Sequence, residues 1–180
     1  ILKCIGVKIN KLNSGEYSFK ADELNLEFLK SDEYKNLAKS IRGSIMIVGP
    51  LLARFGFGSI PRPGGDKIGR RRLDTHFESF KKLGAEFSYD RKESFFNIKA
   101  KKLKGSNILL DEASVTGTAN IVMAGVLAEG KTTIYNAACE PYIQQLCNLL
   151  NRMGAKISGI GSNFLIIEGV SKLNGASHKI

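Results

Sequence analysis

A glycine that ends a helix and hands the chain to a strand occurs three times, and this recurrence restricts the fold more than any other feature. Ile1-Leu2-Lys3-Cys4-Ile5-Gly6-Val7-Lys8-Ile9 reads as the last turn of a helix, a glycine stop and a strand. Phe80-Lys81-Lys82-Leu83-Gly84-Ala85-Glu86-Phe87 repeats the pattern, and Leu150-Asn151-Arg152-Met153-Gly154-Ala155-Lys156-Ile157 repeats it again. Each is followed by a turn and a second alternating stretch, over 17–21, 95–100 and 164–169, which predicts a hairpin. The three glycines are separated by 78 and 70 residues, too far apart for a simple helical repeat.

A second motif recurs between them. Ser40-Ile41-Arg42-Gly43 is expected to open a helix running to about Phe55, and Ser114-Val115-Thr116-Gly117 another running to about Glu129. In both, serine is a suitable N-cap and the body is apolar nearly all round, which predicts burial. A strand follows each (58–60 and 132–135), then a loop, then an amphipathic helix. Leu73, Phe77, Phe80 and Leu83 mark the first of these helices; Ile143, Leu146, Leu149, Leu150 and Met153 mark the second. The unit is therefore helix, strand, helix, strand, strand. Because each unit mixes helix and sheet, its repetition predicts a pseudo-symmetric α/β domain with the first unit caught only at its tail. Residues 1–180 are expected to form this one domain, beginning inside a helix.

Charge narrows the partners. The chain carries 27 Lys/Arg against 17 Asp/Glu, a formal +10, which favours anionic ligands. Part of the excess is concentrated, with seven Lys/Arg against three acids from Pro61 to Lys82, a stretch that opens with Pro61-Arg62-Pro63-Gly64-Gly65-Asp66-Lys67-Ile68-Gly69-Arg70-Arg71-Arg72-Leu73-Asp74. Prolines stiffen the entry, glycines permit unusual backbone shapes, and one carboxylate sits among arginines. Such a loop can hold an anion against an acid or base; it can equally be a solvated basic loop. Aromatic residues are not interleaved with these charges, so a platform for single-stranded nucleic acid is disfavoured and a small phosphorylated ligand fits better. The apolar run from Ile45 to Ala53 is too short to span a bilayer, and no export signal opens the chain, so a cytoplasmic location is expected. Cys4, Cys139 and Cys147 lack metal-ligand spacing and are expected to be buried reduced thiols; no metal or cofactor is implied.

Longer motifs carry a resemblance. Gly49-Pro50-Leu51-Leu52-Ala53-Arg54-Phe55-Gly56, then Pro63-Gly64-Gly65-Asp66 through Thr75-His76, resemble the bacterial enolpyruvyl transferases that act on UDP-N-acetylglucosamine. Asp111-Glu112-Ala113-Ser114-Val115-Thr116-Gly117-Thr118-Ala119-Asn120, Leu127-Ala128-Glu129-Gly130, Asn136-Ala137-Ala138-Cys139-Glu140-Pro141 and Gly154-Ala155-Lys156-Ile157-Ser158-Gly159 extend the likeness across the whole chain. The resemblance implies an inside-out α/β barrel, one of two similar domains, here without its companion and without an upstream Lys-Asn pair that contacts phosphoenolpyruvate. It also implies a reaction: transfer of the enolpyruvyl group of phosphoenolpyruvate to the 3-hydroxyl of UDP-N-acetylglucosamine, the first committed step of peptidoglycan synthesis. A fragment lacking the second domain, which holds the general base, is expected to be inactive alone. A shikimate-pathway relative of the same fold and a basic nucleic-acid-binding module are the alternatives, both less well matched by the motifs.

Site roles follow from the same resemblance. Most relatives carry cysteine as proton donor in the loop; this chain has Asp66 there. A free aspartic acid has a pKa of about 3.9, so closure over anionic substrates is expected to raise it. A carboxylate is also a far weaker nucleophile than a thiolate towards the epoxide fosfomycin, which implies resistance. Arg71 matches the arginine facing both substrates, and Arg42 the one near the sugar nucleotide's phosphates. Leu73, Asp74 and Thr75 fall where the uridine pocket lies, although Asp74 also suits the start of a helix. Ser114, Val115 and Thr116 match the second ligand loop. Arg72 stands where the family often has proline and Glu112 where it often has lysine, two departures from the pattern. His76 reads as pocket wall or helix surface.

Overall fold

The structure, a computed structural model, describes residues 1–62, 64 and 73–180. Nine strands and five α-helices alternate among the described residues in the order β1 (Lys8–Asn13), β2 (Glu16–Lys20), α1 (Asp32–Ser40), α2 (Val48–Phe55), β3 (Phe57–Pro61), α3 (Asp74–Lys82), β4 (Glu86–Asp90), β5 (Phe95–Lys99), β6 (Asn107–Leu109), α4 (Val115–Gly125), β7 (Lys131–Tyr135), α5 (Pro141–Arg152), β8 (Lys156–Ser158) and β9 (Phe164–Glu168). A 3-10 stretch, Arg42–Ile47, leads into α2.

The predicted repeat is present in the sheets. β3-β5-β4 and β7-β9-β8 share one order, with the last strand of each unit between the other two and every one of these pairings antiparallel. β1 and β2 form the corresponding hairpin of the first unit. The registers open alike, on Lys8↔Lys20, Glu86↔Lys99 and Lys156↔Glu168. Among the described residues β6 has no counterpart in the earlier units; it adds a parallel edge beside β7.

The glycine stops are the same device three times. Gly6, Gly84 and Gly154 lie at φ +99, +89 and +100. In each the following N–H reaches back five residues (Val7 to Leu2, Ala85 to Phe80, Ala155 to Leu150), while the glycine N–H reaches back three. That pair of bonds is the Schellman closure, and it needs a left-handed residue at its centre. The surroundings differ. A Cβ at Gly84 would meet only the Lys102 carbonyl at 4.0 Å, whereas one at Gly6 would lie 2.6 Å from the Glu23 carbonyl. Gly84→Ala is therefore expected to cost about 1 kcal/mol from backbone strain alone, and Gly6→Ala distinctly more. Urea titration of the two variants checks the order; equal losses would refute it.

α4 is buried along Gly117–Val122 and again at Ala124 and Gly125, and it packs on α2. The two helices approach so closely at Gly49 that a Cβ there would lie 2.5 Å from the Asn120 carbonyl oxygen. A main apolar core runs from Ile45 and Val48 through Phe80, Ile98, Ile121 and Ile134 to Ile167. A smaller one gathers Ile5, Leu29, Tyr34 and Phe95 on the outer side of β3.

Three expectations need correction. Ser40 does not cap a helix running to Phe55; it ends α1, and its hydroxyl donates back to the Leu37 carbonyl at 2.7 Å. The capping serine is Ser31, which accepts from the Tyr34 N–H at 3.0 Å and starts a helix that the apolar pattern did not reveal. Ile41 is extended, which breaks α1 from the 3-10 stretch that follows. The helix from Ser114 ends at Gly125, four residues short of Glu129, because the chain must turn there to enter β7. Of the cysteines, Cys147 is buried and desolvation pushes its thiol up to about 11, but Cys4 and Cys139 are exposed. Both lie in loops outside the helix and strand faces that form the core.

Candidate functional site

The predicted ligand residues come from three separate chain starts: the 3-10 stretch at Arg42, the first turn of α3 and the first turn of α4. Ser114 caps α4 as expected, accepting from the Gly117 N–H at 3.2 Å. The α3 start is different. Leu73 occupies its cap position without a side-chain cap, and its carbonyl accepts from the His76 and Phe77 N–H groups at 3.0 and 3.3 Å. A Cβ at Gly117 would lie 3.0 Å from both Ser114 Oγ and Thr75 Cγ2, so the two helix starts touch. Thr75 Oγ1 donates to Asp111 Oδ1 at 3.1 Å, which ties α3 to the loop preceding α4.

Beneath this contact lies a buried polar joint built on Asn120. Its Oδ1 accepts from the Gly49 N–H at 2.9 Å, and its Nδ2 donates to the Ile45 carbonyl at 2.9 Å. That assignment leaves Nδ2 facing His76 Nδ1 at 3.0 Å, so Nδ1 has to be the acceptor. The other imidazole nitrogen then carries the hydrogen and donates to Thr116 Oγ1 at 3.3 Å. His76 is 2 % exposed. Burial, and secondarily the Arg42 charge, lower its pKa from the usual 6.5 to about 4. At neutral pH it is uncharged and enclosed, which makes it a poor proton donor to a substrate.

Arg42, Leu73, Asp74, Thr75, Ser114, Val115 and Thr116 are thus arranged around one junction. Thr75 is buried; Arg42, Leu73 and Ser114–Thr116 are half-buried; Asp74 is exposed. Asp66, Arg71 and Arg72 lie outside the described residues. β3 ends at Pro61, Gly64 passes so near the Lys39 carbonyl that a Cβ would overlap it, and Leu73 lies at the junction. Two helix N-termini and a guanidinium make the junction suited to a phosphorylated anion. Among the described residues no group of His, Cys, Asp and Glu is placed to hold a metal ion, and no helix is long and apolar enough to cross a membrane. A polar cavity of about 580 Å³ lies elsewhere, between α5 and the C-terminal segment, lined by Asn148, Arg152 and His178 among others.

Residues 1–180 match the family described as EPSP synthase (3-phosphoshikimate 1-carboxyvinyltransferase) over their full length. The chain belongs to the EPSP synthase family. Within it, the chain is 59% identical over 180 residues to the UDP-N-acetylglucosamine 1-carboxyvinyltransferase of Bacteroides fragilis, covering 100% of this chain and 42% of that protein. The protein of the same name from Porphyromonas gingivalis is 53% identical over the same span, again 42% of its length. The chain therefore spans about two-fifths of the curated relatives it matches. Solved structures agree on the fold. The enolpyruvyl transferase NikO from Streptomyces tendae superposes with a TM-score of 0.74 at 16% identity, over 94% of this chain and 39% of that one. EPSP synthase from Acinetobacter baumannii gives 0.66 at 20% identity, over 96% and 38%.

In this EPSP synthase family chain, the candidate residues Arg42, Leu73, Asp74, Thr75, Ser114, Val115 and Thr116 read from the sequence meet at one junction; sequence reasoning missed Asn120 and Asp111 there, and left His76 as wall or surface. Asn120 carried one usable signal: an amide in the middle of an otherwise apolar helical run has to find partners inside the core.

Proposed function

We propose that the protein containing this chain transfers the enolpyruvyl group of phosphoenolpyruvate to the 3-hydroxyl of UDP-N-acetylglucosamine and releases phosphate, a cytoplasmic step of peptidoglycan precursor synthesis on which cell division depends. The observation that carries this reading is the 59% identity, over all 180 residues, to a relative named for that reaction. The geometry supports it: Arg42 and the starts of α3 and α4 surround one anion-suited junction.

In this reading the sugar nucleotide's phosphates are held by Arg42 and the Ser114–Thr116 helix start, and its uridine lies along Leu73, Asp74 and Thr75. Arg71 grips both anionic substrates, and Arg72 lies beside them. Addition puts a proton from Asp66 on the methylene carbon of phosphoenolpyruvate, while the sugar hydroxyl oxygen bonds to the neighbouring carbon and gives its own proton to a base. Elimination then removes a proton from the new methyl group and breaks the carbon–oxygen bond to phosphate. The base and the far wall of the cleft come from a second domain. Neither a metal nor a cofactor takes part.

Asp66 makes the test specific. In the intact protein, Asp66→Cys is expected to change the shape of the pH–rate profile, because a thiol of ordinary pKa about 8.5 replaces a carboxylic acid. Fosfomycin should add covalently to the cysteine variant and leave the parent unlabelled, as mass spectrometry reads directly. An unchanged profile, or labelling of the parent at Asp66, would overturn the assignment. Saturable binding of shikimate 3-phosphate in place of the UDP-sugar would move the substrate to the other branch of the family.

A further inference from the structure

We propose that His76 is a positioning residue for the phosphate-holding end of the site: its neutral Nε2–H tautomer ties Thr116, and with it the start of α4, to the Asn120 joint. The proposal deepens the ligand reading above and rests on it for the identity of the ligand. Asn120 is 0% exposed and its amide is oriented by two bonds independent of the histidine, to the Gly49 N–H and the Ile45 carbonyl. That orientation dictates which imidazole nitrogen is bare. The remaining N–H points to Thr116 Oγ1 at 3.3 Å, two residues beyond the capping Ser114. His76 also belongs to α3, two residues past the start of that helix at Asp74. One imidazole therefore links the two helix starts to the joint between α2 and α4.

The neutral state has a second consequence. Arg42 is close enough for its charge to act on His76. A charged imidazole there would put a donor against the Asn120 amide donor. The residue is thus a rigid strut, and the positive charge offered to an anion is left to Arg42 and the helix starts.

Three measurements on the intact protein test this. Selective ¹⁵N-histidine labelling, with the resonance assigned by its loss in His76→Gln, should show a bare Nδ1 and a protonated Nε2. Affinity for UDP-N-acetylglucosamine, by calorimetry, should fall about tenfold in His76→Phe, the size expected for one buried hydrogen bond, and recover substantially in His76→Gln, whose amide can still donate to Thr116. Amide exchange at Gly117 and Thr118 should rise in His76→Phe while later α4 amides stay protected. If the phenylalanine variant does not fold, Thr116→Val removes the same bond from the other side and should show the same affinity loss. A protonated Nδ1, or wild-type affinity and exchange in both His76→Phe and Thr116→Val, would overturn the proposal. If the unmodified protein does not bind the UDP-sugar, the substrate reading falls, and the positioning role is decided by the tautomer and the exchange at α4.

Discussion

Asn120→Leu is expected to lower the stability of the protein by at least about 2 kcal/mol, since each buried partner left unsatisfied costs about 1–3 kcal/mol. The substitution keeps the branched shape and removes no heavy atom, so the loss does not come from a cavity. It comes from two groups that lose their partner at once, the Gly49 N–H and His76 Nδ1; the Ile45 carbonyl still accepts from the Val48 N–H. Water cannot replace the amide, because Asn120 is fully enclosed and the backbones of α2 and α4 already touch at Gly49. Against a total of about 5–15 kcal/mol for an ordinary domain, that is a large fraction. Urea unfolding should show a much lower midpoint with an unchanged slope, the mark of lost stability rather than a changed unfolded state. A loss below about 1 kcal/mol would mean the joint is not a structural anchor, since it would match an ordinary surface change.

The same joint explains what was legible in the sequence. Repetition was legible because the Schellman closure needs glycine in a left-handed conformation, and so Gly6, Gly84 and Gly154 announce it. The strand–helix order followed, as did the Ser114 cap. Ser40 misled because serine bonds as readily to a carbonyl behind it as to an N–H ahead of it, and nothing local distinguishes the two. α1 escaped notice because its burial is carried by few residues, Tyr34 and Ala38, with Tyr34 donating to the Ser59 carbonyl across the chain. β6 escaped because three residues are too short for an alternating pattern, and its pairing with β7 is a tertiary fact.

Site residues divide the same way. Ser114 was visible as a helix cap because serine at a helix start has a local signature, while the ligand role of Ser114, Val115 and Thr116 was implied by the family resemblance. His76 was not, because its role depends on Asn120, 44 positions away, and on which atom of that amide is already committed. Local chemistry can nominate a donor or an acceptor. Only the packed structure tells which of the two nitrogens is left to act.

Acid is expected to weaken the protein as pH falls from 6.5 towards 4, and His76 should account for about 3 kcal/mol of that loss. The sign follows from proton counts. In the unfolded chain His76 takes up its proton near the usual 6.5; in the folded protein burial and Arg42 delay uptake to about 4. Between those values the unfolded state holds more protons, so stability rises with pH and falls as the solution is acidified. Above 6.5 the imidazole is neutral in both states and its full contribution is present. Below about 4 both states are charged and the loss from this residue is complete. Among the described residues, the groups that bond to it or act on its charge are Arg42, Thr116 and Asn120, none of them a carboxylate that could hold the charged form. His76→Gln should therefore lose less stability than the parent between pH 7 and 4, because glutamine has nothing to titrate. Denaturant titrations of both proteins at the two pH values measure the difference directly. Equal losses would show that His76 is protonated in the folded state without penalty, and would remove the physical basis for treating it as a neutral strut.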